Sequence, residues 1–96
     1  MEFIIKLAEL ALEEAEDAEK YARMALEQKE TNPELAQDLY TIATQELGHE
    51  EMLYKHAWAM AQRADSPAVT SVMNYLRKHI MTADVSAKTF LEQLKR

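Results

Sequence analysis

Only two prolines and one glycine punctuate this 96-residue chain, and each proline follows a residue that caps helices. Thr31-Asn32-Pro33-Glu34 offers Asn32 as an N-cap and Pro33 at the first helical position. Asp65-Ser66-Pro67 repeats the device with Ser66 and Pro67. Between these stops the chain is rich in alanine, leucine, glutamate, lysine and methionine, all good helix formers. The spacing predicts an all-α single domain over residues 1–96, with helices of roughly residues 2–30, 33–63 and 67–95. Connections this short make consecutive helices antiparallel, giving a helical hairpin plus a third long helix. A helical domain of this size buries only about two-thirds of its chain surface, so oligomerisation is a natural route to further stability.

Hydrophobic periodicity gives each helix a candidate buried face. In the third, Val69, Met73, Leu76, Ile80, Ala83, Ala87, Phe90 and Leu94 alternate steps of four and three, and all are apolar. The same register in the first helix selects Ile4, Leu7, Ala11, Glu14, Ala18, Tyr21 and Ala25, with one carboxylate. In the second it selects Leu35, Leu39, Ile42, Glu46, His49, Leu53, His56 and Met60, with three ionisable members. A carboxylate on a buried stripe requires a partner, because an unpaired one costs several kcal/mol.

The interruptions fall at one height. Glu14 lies eighteen residues before Asn32 and His49 seventeen after it, a difference of about 1–2 Å at about 1.5 Å rise per residue. Glu46 and His49 are three apart and project the same way. Gly48 beside them costs roughly 1 kcal/mol against alanine, a cost that close approach of a neighbouring backbone would offset. Glu14, Glu46 and His49 are therefore candidate metal ligands, with Glu16 and Asp17 as alternatives to Glu14. Glu14 is preferred because Glu16 points off the stripe. Tyr21, seven residues after Glu14, reads either as a core aromatic or as a hydrogen-bond partner of a ligating carboxylate. Glu50 is a candidate additional ligand. His56 reads as a core-edge residue and His79 as an exposed or interface one. Met24, Met52, Met60, Met73 and Met81 read as fillers of a core or subunit interface. Oxygen and imidazole donors without sulfur suit iron or manganese, and zinc is compatible.

At these residues the chain resembles the ferritin-like superfamily: rubrerythrin-type proteins and, more closely in size and layout, the encapsulated half-ferritins. The likeness is carried by Glu14 and Tyr21, by Asn32-Pro33-Glu34-Leu35, and by Glu46-Leu47-Gly48-His49-Glu50-Glu51-Met52-Leu53, and it covers roughly residues 4–60. A full carboxylate-bridged site in such bundles has two lone glutamates and two Glu-x-x-His pairs. This chain has one of each, so ligand counting calls for two copies related by a twofold axis. The resemblance implies a four-helix di-iron bundle completed by dimerisation, in a homodimer or higher homo-oligomer, where ferrous iron is oxidised for storage or detoxification. It implies metal ligands at Glu46 and His49 and an encapsulating shell protein as partner. Half-ferritins reach that shell through a C-terminal tail, and the sequence given stops at Leu94-Lys95-Arg96 without one.

Charge and composition limit the other classes. The formal net charge of −6 argues against a nucleic-acid backbone as partner. It is unevenly spread: residues 1–50 carry −9 and residues 51–96 carry +3. The bland reading is solvated helix faces, and the sharper one is a local field that concentrates cations. The absence of cysteine removes disulfides and thiolate metal sites and makes a cytoplasmic protein the default expectation. No apolar run predicts a membrane span and no signal-peptide pattern opens the chain. The rival to a redox metal protein is a non-catalytic helical interaction module, in which Glu46 and His49 pair with basic residues of a partner.

Overall fold

The computed structural model describes residues 1–96 and is all-helical, with α1 (Glu2–Gln28), α2 (Pro33–Ala64) and α3 (Pro67–Leu94). Both proline stops act as the sequence predicts. The Asn32 side chain accepts a hydrogen bond from the Leu35 amide at 3.2 Å, and the Ser66 hydroxyl accepts one from the Val69 amide at 3.4 Å. Each satisfies an amide that the first turn of a helix leaves without a partner. α1 stops two residues short of the expected end: Lys29–Thr31 form a turn closed by the Asn32 amide donating to the Gln28 carbonyl. α2 ends one residue later than expected, where Asp65 takes the left-handed conformation at φ 48°. Aspartate tolerates that conformation better than most residues, so a single non-glycine residue turns the chain.

The three rods pack into a bundle measuring 50 × 16 × 15 Å. α1 is the central element. It packs extensively against both α2 and α3, whereas α2 and α3 touch each other far less. The reason is written on α1: Ala8, Ala11, Ala15, Ala18, Ala22 and Ala25 alternate steps of three and four, and none has any solvent exposure. A methyl side chain lets a neighbouring backbone come close, so α1 serves as a narrow spine for two partners. α2 answers with Ala36, Ala43, Ala57 and Ala61, and α3 with Ala83 and Ala87. Larger side chains fill the two ends of the bundle. Ile4, Val69, Met73 and Leu76 cluster at one end, and Leu47 and Leu91 at the other.

This packing corrects the expected face of α2. Of its eight seam residues only Leu39 is buried; Leu35 and Ile42 are exposed, and Glu46, Leu53 and Met60 are half-buried. The buried face is Ala36, Leu39, Ala43, Leu47, Glu50, Ala57 and Ala61, rotated part of a turn from the predicted one. The large apolar residues were read as core, but the spine accepts alanines and displaces the large residues to its flank. α1 shifts less: Ile4, Ala11, Ala18 and Ala25 are buried as expected, and Leu7, Glu14 and Tyr21 lie half-buried on the flank. α3 keeps its predicted face, with Leu91 buried where Phe90 was expected. Among the methionines only Met73 is a full core residue, and Met24, Met52 and Met81 are exposed.

Gly48 does not mediate a close approach. A β-carbon built there would meet nothing within 4 Å. Gly48→Ala should therefore stabilise the chain by about 1 kcal/mol, the difference in helix propensity, which raises Tm by roughly 4–8 °C in a domain of this size. The spine predicts the opposite for Ala18→Leu. Ala18 packs in one cluster with Ala43 and Leu47 of α2 and Ala87 of α3. Overpacking there should cost about 1–3 kcal/mol, readable as a lowered denaturation midpoint with unchanged far-ultraviolet signal before the transition.

Candidate metal centre

The displaced flank is where the polar groups meet. α1 delivers Glu14, and α2 delivers Glu46 and His49 from successive turns. One nitrogen or oxygen from each lies within 4.8 Å of the other two. His49 Nδ1 is 3.5 Å from Glu14 Oε2 and 3.4 Å from Glu46 Oε1. Two ligands held about 2.0–2.2 Å from one ion at tetrahedral or octahedral angles are themselves roughly 3–3.5 Å apart. The two distances from His49 Nδ1 fall in that range, and the third, between the two carboxylates, is at most 4.8 Å.

Two observations bear on whether the residues fit a cation. Glu14 Oε2 is buried and has no hydrogen-bond partner, since its 3.5 Å approach to the imidazole lacks hydrogen-bond geometry. In addition, the Glu46 carboxyl is pushed above the usual carboxylate range, first by the adjacent Glu14 carboxyl and then by burial, with His49 opposing. Two neighbouring carboxylates oppose each other's charge, an opposition that a bound cation would offset. The donor set of two carboxylates and one imidazole fits iron, manganese or zinc.

The triad is not sealed. The side chains of Glu46, Glu14 and His49 are 19%, 28% and 51% exposed, so the imidazole edge opens to the outside. Three protein ligands leave further coordination positions for water, substrate or another chain. None of the four surface hollows includes a triad residue; the largest, about 450 Å³, follows the outer side of α3 at Val85, Lys88, Thr89 and Glu92.

The alternatives to Glu14 are not brought in. Glu16 is exposed, and neither it nor Asp17 joins the triad. Tyr21 is half-buried and packs against the Ala18, Ala22, Ala43 and Leu47 cluster, and within one chain no hydrogen bond joins its hydroxyl to Glu14, Glu46 or His49. His56 and His79 are exposed, and His79 meets Tyr75 edge-on at 4.6 Å between ring centres.

Glu50 does not join the triad either. It is 4% exposed and turns towards α3, where its carboxyl meets that of Asp84. Burial, and then the adjacent Asp84 carboxyl, raise the Glu50 carboxyl to about 8. The helical periodicity of α2 and α3 does not predict this pairing. A signal was present: Ala36, Ala43, Glu50 and Ala57 form a strict heptad row with one carboxylate among alanines.

No protein-family model, no curated protein and no solved structure matches this chain. No helix is long and apolar enough to cross a membrane.

The Glu50 carboxyl sets a pH dependence. Its folded pKa lies above the unfolded value of 4.5. Its contribution is therefore fully present below about 4.5 and is lost as pH rises towards about 8, where the folded chain too must ionise a buried group. In chelator-treated protein, stability should fall between pH 5 and 8 by up to about 1.4 kcal/mol per pH unit from this group. Glu50→Gln should flatten that slope and raise Tm at pH 8. An unchanged slope would count against a proton shared between Glu50 and Asp84.

Proposed function

We propose that this chain is a ferritin-like iron protein, which binds ferrous iron at Glu14, Glu46 and His49 and supports its oxidation for storage or detoxification. The observation that carries the reading is the convergence of three ligand-type side chains from two helices, with a buried carboxylate oxygen lacking any donor. The Glu14 and Tyr21 spacing and the Glu46-x-x-His49 pair, which resemble the half-ferritins, support it.

In this reading two copies of the chain face each other across the α1–α2 flank and bring two triads together. Support comes from the apolar side chains on that flank. Leu35 and Ile42 continue at seven-residue intervals into His49 on α2, and Leu10 and Met24 lie on α1; all four apolar residues are 37% exposed or more. A closed twofold pair would cover them and the open imidazole edge together. Ferrous iron is the substrate in this reading, and when bound by Glu14, Glu46 and His49 it would give its electrons to an oxidant such as dioxygen or peroxide. The chain's own residues do the rest. Glu14 and Glu46 offer carboxylate oxygens, His49 offers a ring nitrogen, and the flanking apolar residues restrict water.

The exposed apolar flank also favours a second reading, a helical interaction module without redox metal. Ferrous iron titration under anaerobic conditions, with light scattering, separates the two. Wild-type protein should bind iron stoichiometrically, double in mass from 11.1 kDa per chain, and consume oxygen on exposure to air. His49→Ala should lose stoichiometric binding with helicity intact. Equal binding in that variant would remove Glu46-x-x-His49 from the account, and a metal-indifferent dimer would favour the interaction module.

A further inference from the structure

The interface between α2 and α3 holds polar groups that the proposed iron chemistry does not use. Glu50 occupies the one non-alanine position of the row 36, 43, 50 and 57, and it is 96% buried, being only 4% exposed. Its Oε1 has no hydrogen-bond partner. Across from it, Asp84 Oδ1 is also buried without a partner. One turn after Glu50 the Tyr54 hydroxyl is a third buried oxygen without a partner, near enough to Glu50 to feel its charge. Lys88 acts on Glu50 only through space and makes no ion pair with it. Three buried oxygens without a partner thus lie on two helices, those of Asp84 and Tyr54 both near the Glu50 carboxyl, with no basic side chain bonded to them.

We propose that Glu50 and Asp84 form a second cation site, buried between α2 and α3, that takes one hard divalent ion such as Mn²⁺. The donors are all oxygen, which selects hard cations over those that prefer nitrogen or sulfur. The two carboxylates supply two negative charges to one divalent ion, so the bound site is neutral and its burial costs little. The Tyr54 hydroxyl is placed to hold a water on the ion. This site differs from the Glu14, Glu46 and His49 triad in its helices and donors: the triad lies on the α1–α2 flank and includes an imidazole, whereas this pair faces α3. The proposal does not depend on iron chemistry.

The test is Mn²⁺ binding to the full chain, followed by electron paramagnetic resonance and equilibrium dialysis. In a Glu46→Ala/His49→Ala variant, which disables the triad, one Mn²⁺ per chain should remain bound. Adding Glu50→Gln or Asp84→Asn should weaken that binding at least tenfold. Glutamine can still hydrogen-bond Asp84, so helicity should persist and can be checked by circular dichroism. Absence of Mn²⁺ from the triad-disabled variant, or binding that Glu50→Gln leaves unchanged, overturns the site. Should the triad-disabled variant not fold, Glu50→Gln in the otherwise unaltered chain must lower the Mn²⁺ stoichiometry by one per chain, and an unchanged stoichiometry overturns the site equally.

Discussion

The alanine face of α1 is the constraint on which the other features rest. Six alanines without solvent exposure let two helices approach one spine. Alanine buries little apolar area, roughly a methyl group each at about 25 cal/mol per Å², so the face gains from close, dense packing rather than from bulk. The ends of the bundle, where Ile4, Val69, Met73, Leu76 and Leu91 gather, supply the larger hydrophobic contribution. Close axes also decide which side chains can meet. A glutamate is short, and Glu14 reaches His49 only because α1 and α2 run side by side with small residues between them.

The same geometry creates two acidic junctions. At the α1–α2 flank Glu14 meets Glu46, with His49 beside them. At the α2–α3 interior Glu50 meets Asp84. In each, a carboxyl lies above its ordinary range because a second carboxyl and low hydration oppose its charge. The difference between them is access. The flank triad opens through a half-exposed imidazole, whereas Glu50 is enclosed. Exchange with solvent or with another subunit is therefore easy at the first and slow at the second.

Much of the fold was legible before any coordinates. Asn32-Pro33 and Ser66-Pro67 placed two helix starts to the residue, because a capping side chain and a fixed φ act locally. The level match of Glu14 with His49 was also legible, since a hairpin with a known turn fixes height by counting. Rotation about the α2 axis was not. Large apolar residues such as Leu35 and Ile42 outrank alanine on any hydrophobicity scale, yet the spine's shape admits alanine and excludes them. Rotation depends on the partner's surface, and a periodicity taken from one helix carries no information about that surface. The Glu50–Asp84 pair was hidden for the same cause: with the α2 face misplaced, Glu50 seemed to border the triad when it turns to α3.

The misplaced face bears on function as well. Had Leu35, Ile42 and His49 formed the core, the triad would be interior to a single chain and closed to a second one. Their displacement leaves a row in which apolar residues and a candidate ligand share the surface. Ile42 and Leu35 are exposed on the helix that carries Glu46 and His49, and Glu14 Oε2 in the triad is buried without a hydrogen-bond partner. Covering the apolar residues would also desolvate the triad and raise the cost of its negative charge. In the proposed twofold pair a cation would offset that cost, and a second copy of the same flank would cover the apolar row with its own and face each triad with another.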